Sequence, residues 1–260
     1  MAEEGDHQLS TVVGGKSVGE NLERAIASGK VIRGKGGELE LARLPKGGDE
    51  LALDPYITRY GDFAAPCAFL NRFMFQYVYA EKAVPFGCRD CYKVKVVSDT
   101  MRQLMAVKEI SESVSCTAKS GPEMYSMQNQ HLYGTYFYNW GLNKARELYK
   151  IVRAKVDAHP KLGPTVNMLI KRGCTNYERA CGPSDKYTFD PKLRDVEDFL
   201  APKFVRPPAR LVDKATWDRT RVLEMIQAAY RIGDDTYKDF NGGRSLYPPI
   251  VTYDPENQSL

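Results

Sequence analysis

The chain has 260 residues, of which 43% are hydrophobic and 27% charged, the balance of an ordinary folded protein rather than a disordered one. No apolar run approaches the roughly 20 residues that a membrane-spanning helix needs, and the acidic start of the chain is not typical of a secretory signal. We therefore expect a cytoplasmic protein without membrane contact. The net charge is only +4, but residues 88–186 hold 16 lysines and arginines against 9 acidic residues, so the middle of the chain carries the positive field.

Three regions follow one another along the chain. Residues 1–50 contain three glycine pairs and form a predicted N-terminal arm with one short helix and one short strand. Residues 51–190 form a predicted α+β core, which includes an apolar helical stripe over residues 68–83. Residues 191–260 are predicted to form C-terminal helices followed by an extended tail rich in glycine and proline.

The centre of the core has the clearest secondary-structure pattern. It predicts the order strand, helix, strand, strand, helix, strand, over residues 92–97, 100–110, 115–119, 132–138, 143–159 and 166–170. This order is typical of a ferredoxin-like (βαββαβ) core, and right-handed crossovers place the four strands in the order 4-1-3-2. The predicted fold class is therefore α+β: a ferredoxin-like core with a four-cysteine metal site at one sheet edge, plus helical and extended arms at both ends.

Four of the six cysteines flank the two strands that this order makes antiparallel neighbours. Cys88 and Cys91 form a C-x-x-C pair before the first strand, and Cys174 and Cys181 follow the fourth. Since the start of one strand lies beside the end of its antiparallel neighbour, we predict that these four thiolates bind one metal. Zinc is the predicted ion, because four thiolates complete a tetrahedral structural site. An iron–sulfur cluster, which also takes four cysteines, is the alternative.

Other interpretations of the cysteines and of the polar residues stay open. Cys116, at the start of the second predicted strand, is a substitute ligand, and all of these cysteines could instead be small buried hydrophobic residues. No catalytic constellation is identified, because the three histidines lie far apart in the sequence and phosphate-binding glycine loops are absent from it.

The basic core and its aromatic third strand predict contacts to nucleic acid. Side chains beside the cysteines and on the first and third strands are the candidates for contacting nucleic acid or another anion: Arg89, Lys93, Lys95, Tyr136, Tyr138, Lys171, Arg172 and Arg179. Tyrosines on one face of a sheet stack single-stranded bases, and lysines and arginines contact phosphate. The same tyrosines could instead be core, and the basic residues a solvated surface.

Three functional hypotheses follow from these patterns. The first is a metal-binding protein, with structural zinc, whose basic core binds single-stranded nucleic acid. The second is a structural subunit that contacts other protein subunits through its arms. The third is an iron–sulfur subunit of a redox complex.

Overall fold

The structure, a computed structural model, describes residues 6–42, 56–62, 66–124, 130–205, 213–248 and 251. Its strands are β1 (Val12–Val13), β2 (Lys16–Ser17), β3 (Val31–Arg33), β4 (Leu39–Leu41), β5 (Ile57–Arg59), β6 (Cys91–Ser98), β7 (Ala118–Pro122), β8 (Tyr133–Trp140), β9 (Met168–Arg172) and β10 (Phe204–Val205). Its α-helices are α1 (Asp6–Leu9), α2 (Val18–Ala27), α3 (Met101–Glu112), α4 (Leu142–Ala158), α5 (Thr175–Cys181), α6 (Pro191–Leu200) and α7 (Lys214–Arg231). A wide helix of π type covers Ala68–Val78, and 3-10 turns cover Phe86–Cys88, Ser184–Lys186, Ala201–Lys203 and Asp235–Phe240.

The largest sheet has five antiparallel strands in the order β5-β7-β8-β6-β9. Strand β6 lies between β8 and β9, and it forms because valines alternate with polar residues along it. Val94 and Val96 are buried with residues of α3 and α4, such as Val107 and Val152. Since successive side chains of a strand point to opposite faces, Cys91, Lys93 and Lys95 lie on the face away from these two helices.

The predicted fold class, a ferredoxin-like core with a four-cysteine metal site at one sheet edge, is wrong. The sheet carries a fifth strand, β5, beyond β7, and within the described residues no group of three or more histidine, cysteine, aspartate or glutamate side chains is placed to hold a metal ion. The reason lies in α5. Cys174 precedes this helix and Cys181 ends it, so at 1.5 Å per residue the helix carries the two cysteines about 10 Å apart.

A second core joins the N-terminal residues to the wide helix and to α6. Helix α2 begins at Ser17, whose hydroxyl accepts the N–H of Glu20 while the Glu20 carboxylate accepts the N–H of Ser17; this capping box satisfies two amides at the helix start. Leu22 of α2, Met74 of the wide helix and Val196 of α6 are buried in the same cluster. None of the helices in the described ranges combines the length and the apolar character that crossing a membrane requires.

One carboxylate, that of Asp234, links α3 to the turn that follows the C-terminal helix α7. Asp234 accepts the N–H of Met101, the first residue of α3, at 2.6 Å and the hydroxyl of Tyr133 at 2.9 Å. Its second oxygen accepts the N–H and the hydroxyl of Thr236 at 3.1 and 2.7 Å. A single side chain thus joins α3, β8 and the Asp235–Phe240 turn.

Replacing Asp234 by alanine is expected to lower the free energy of unfolding by about 2 kcal/mol, because it removes a helix cap and several charge-assisted hydrogen bonds. Urea unfolding followed by circular dichroism measures this change. Asp235→Ala is the matched control, since the Asp235 side chain is 79% exposed and pairs with Lys238 at the surface. Equal destabilisation by the two variants would contradict the role given to Asp234.

Candidate thiol site

Four cysteines from four separate elements come together near the start of β6. One precedes the wide helix, one ends the Phe86–Cys88 turn, one begins β6 and one precedes α5; we call them the thiol site: Cys67, Cys88, Cys91 and Cys174. Cys174, Cys91 and Cys67 all act electrostatically on the thiol of Cys88, and Cys174 and Cys67 act on Cys91. The four side chains therefore share one neighbourhood.

The pairing of β6 with β9 brings two of these cysteines together. Tyr92 lies opposite Arg172 in the antiparallel register, so the chain leaves β9 beside the start of β6. The N–H of Gly173 donates to the carbonyl oxygen of Cys91 at 2.9 Å, and Cys174 follows directly. Gly173 has a φ of 65°, in the left-handed region, which a glycine adopts without strain.

Burial and mutual repulsion raise the pKa values of two thiols at this site, those of Cys88 and Cys91. The pKa of Cys88 is raised well above its ordinary value, first by burial and then by Cys174, while a hydrogen bond with the Tyr177 hydroxyl opposes the rise. Burial raises the pKa of Cys91 to about 11, against the opposing charge of Lys93. Buried thiols with a raised pKa are poor nucleophiles, and they become thiolates only beside a compensating positive charge.

Lys93 supplies that positive charge from within the site. Its ammonium nitrogen donates to the sulfur of Cys174 at 3.3 Å, and the residue is only 5% exposed. Burial acts to lower the pKa of Lys93, but Cys174, Tyr138 and Cys91 act in the opposite direction and prevail, so the pKa is raised. A buried ammonium is costly unless an opposite charge compensates it. We therefore assign Lys93 and Cys174 as a hydrogen-bonded pair, in which the buried ammonium faces the sulfur.

Aromatic side chains enclose the site. The Tyr177 hydroxyl lies 3.4 Å from the sulfur of Cys88, and the Tyr177 ring packs edge-on against Phe75 at 4.5 Å between centroids. The ammonium of Lys93 lies 5.0 Å from the centre of the Tyr138 ring, within the range of a cation–π contact. Tyr177 and Phe75 are fully buried, so this side of the thiol site is shielded from water.

A second buried polar group continues along the same face of β6. The ammonium of Lys95 pairs with the carboxylate of Glu123 at 2.7 Å, and both side chains are almost fully buried. The hydroxyl of Tyr136 donates to the same carboxylate. Gly134 leaves room for the Glu123 carboxylate, because a Cβ at position 134 would lie 2.8 Å from the carboxylate carbon. From Cys91 to Lys95, the face of β6 that carries the thiol site is therefore buried and lined by polar groups.

The structure separates the other two cysteines from the thiol site. The thiol of Cys181 faces the carbonyl oxygen of Glu81 at 3.8 Å, and its electrostatic partners are Glu81 and Lys82. Cys116 lies beside Arg59, which donates to its carbonyl oxygen at 2.9 Å, and burial raises the pKa of its thiol to about 11. Neither position supports the ligand role that the sequence predicts for it.

The predicted nucleic-acid contacts fall into two groups. Four of them lie on the buried face and engage the thiol site or Glu123: Lys93, Lys95, Tyr136 and Tyr138. The others lie near or at the surface, where Arg89 pairs with Asp90, Lys171 pairs with Glu178 and Arg172 donates to the carbonyl oxygen of Arg89; Arg179 is exposed. Nucleic-acid binding stays a prediction, and the surface group is the part of it that can reach a ligand without rearrangement.

Cys67 is the member of the thiol site that sequence analysis missed. It has no partner at metal-ligand spacing, because Cys88 is the next cysteine along the chain. The local sequence feature that distinguishes Cys67 is its position directly before the apolar stripe that forms the wide helix. Helices of π type are rare and frequently occur at functional sites, but the sequence pattern predicts an ordinary helix there.

Comparisons of the chain with protein-family models, with curated proteins and with solved structures find no match. The chemistry of the site is therefore inferred from its own groups. Thiolates are the preferred ligands of zinc and of iron–sulfur clusters. Hydrogen-bond donors aimed at the sulfurs, such as the Lys93 ammonium, adjust the properties of the bound group.

Proposed function

We propose that this protein binds an iron–sulfur cluster through Cys67, Cys88, Cys91 and Cys174 and that it transfers electrons. The observation that carries the proposal is the buried ammonium of Lys93, which lies among these thiols and donates to the sulfur of Cys174. A cluster held by four thiolates has a net negative charge, and a buried lysine offsets part of it. Because all four ligand positions are filled by cysteine, electron transfer is favoured over chemistry on a bound substrate.

The order of the cysteines supports a cluster over a structural zinc ion. Structural zinc sites are typically built from two close pairs of ligands, but the second close pair here is broken up by α5. The thiol site has one upstream cysteine, one C-x-x-C pair and one distant cysteine. Iron–sulfur proteins of the plant ferredoxin type also place a C-x-x-C pair between an upstream and a distant cysteine, although the upstream spacing is much shorter in them.

The proposal requires some movement of the side chains. As placed, the described residues do not surround a single metal ion, so the four thiols have to turn toward a shared centre when the cluster binds. Metal sites of this kind form together with the bound group, because deprotonation of the thiols and ligand binding are coupled.

Iron and acid-labile sulfide measured on protein purified without oxygen test the proposal. We expect both in stoichiometric amounts, with a brown colour and absorbance near roughly 400 nm, as clusters in general show. Zinc without iron would replace the cluster by a structural ion at the same thiols. Protein that holds neither metal, even after incubation with iron and sulfide under reducing conditions, would contradict the proposal.

A further inference from the structure

Glu197 of α6 is a buried carboxylate at the base of the turn that carries Cys88. The residue is 5% exposed, and its two oxygens accept the N–H groups of Phe86 and Gly87 at 2.7 and 2.8 Å. The Tyr79 hydroxyl lies 3.0 Å from the first of these oxygens. Charge-assisted hydrogen bonds from two consecutive amides fix the turn more firmly than neutral ones would.

The same carboxylate joins two elements of the thiol site. Tyr79 ends the wide helix that begins after Cys67, and Phe86 and Gly87 form the turn that ends with Cys88. A Cβ at position 87 would lie 2.9 Å from a methyl carbon of Leu70, in the wide helix, and 3.0 Å from the Glu197 carboxylate. The turn is therefore packed closely between the wide helix and α6.

Stability alone does not explain why the carboxylate of Glu197 is buried. Burial raises the pKa of Glu197, while the amides of Gly87 and Phe86 and the Tyr79 hydroxyl act to lower it. A well-packed apolar residue in such a position is often at least as stabilising as a buried charge. The geometry instead gives the carboxylate a specific task, since its hydrogen bonds hold the turn that ends at Cys88 against Tyr79, at the end of the wide helix.

We propose that Glu197 is a positioning residue of the thiol site, which fixes the turn that ends at Cys88 and so controls how firmly the cluster is held. This inference rests on the proposed function. When a residue that supports and orients a metal ligand is replaced, the affinity for the metal typically falls by roughly 10- to 100-fold. Glu197 does not contact the thiols itself; it acts through the backbone of the turn and through Tyr79.

Glu197→Gln and Asp198→Asn form a matched pair for the test. Glutamine keeps the shape of Glu197 but turns one of its two acceptors into a donor that faces an amide N–H. Asp198 is the next residue of the same helix, with a side chain 73% exposed. With cluster-loaded protein under a chelator challenge, we expect E197Q to lose iron at least about tenfold faster than the wild type, and to show a shifted reduction potential. D198N should behave as the wild type.

Amide hydrogen exchange of the metal-free protein provides a second measurement that does not depend on the cluster. E197Q is expected to speed exchange at residues 86–88 while leaving the β6–β8 pairing protected. Unchanged exchange at this turn would overturn the inference whether or not iron binds. Unchanged iron retention and potential in E197Q would also overturn it and leave the proposed function standing. A wild-type protein without iron would remove the proposed function and the effect on cluster retention with it, and hydrogen exchange would then decide whether Glu197 positions the turn.

Discussion

Replacing Cys67 by serine is expected to remove most of the iron, whereas replacing Cys181 by serine is expected to leave it in place. Cys67 shares an electrostatic neighbourhood with Cys88 and Cys91, but Cys181 faces the backbone of Glu81. Loss of a ligand should exceed the roughly 10- to 100-fold loss of affinity that follows removal of a group supporting a ligand. Iron and sulfide per chain, measured after anaerobic reconstitution, give the comparison.

The two variants also distinguish the set of ligands found in the structure from the set predicted from the sequence. If Cys181→Ser loses the cluster and Cys67→Ser keeps it, the ligand set is the predicted one and the structural assignment is wrong. Cys116→Ser is a further control, because that thiol lies beside Arg59. Circular dichroism of each metal-free variant checks that an unfolded chain is not mistaken for a lost ligand.

Local patterns predicted the elements that hold the site. The strand over residues 92–97 is β6, and the helix after Thr100 is α3, with the Thr100 hydroxyl accepting the N–H of Gln103 as a helix cap does. The antiparallel pairing of β6 and β9, which places Cys91 near Cys174, is confirmed. Each of these features depends on residues close in sequence or on a strand order that few topologies allow.

The features of the site that the sequence did not predict depend on tertiary contacts. Helix α5 is seven residues long and buries only Tyr177, so no periodic pattern marks it, and without it Cys181 looks like a partner of Cys174. Cys67 reaches the site from a distant part of the chain. The alternation of Lys93 and Lys95 with valines predicts a solvated strand face, yet both lysines are buried because thiols and Glu123 compensate their charges.

Replacing Lys93 by methionine is expected to lower the reduction potential of the bound cluster by on the order of 100 mV. The reduced cluster carries one more negative charge, which the Lys93 ammonium stabilises from its place beside Cys174. Coulomb's law gives about 3 kcal/mol for two charges about 5 Å apart at an effective dielectric constant of about 20, and about 1.4 kcal/mol corresponds to about 59 mV for one electron. Redox titration followed by visible absorbance measures the shift.

Lys171→Met is the matched control for this prediction. Lys171 lies directly opposite Lys93 in the β6–β9 pairing, but its ammonium pairs with Glu178, so its charge is already balanced and its removal should move the potential much less. Methionine preserves most of the volume of a lysine side chain, which favours folding of both variants. Equal shifts in the two variants would show that the potential follows overall charge, and an unchanged potential in Lys93→Met with the cluster bound would place Lys93 away from it.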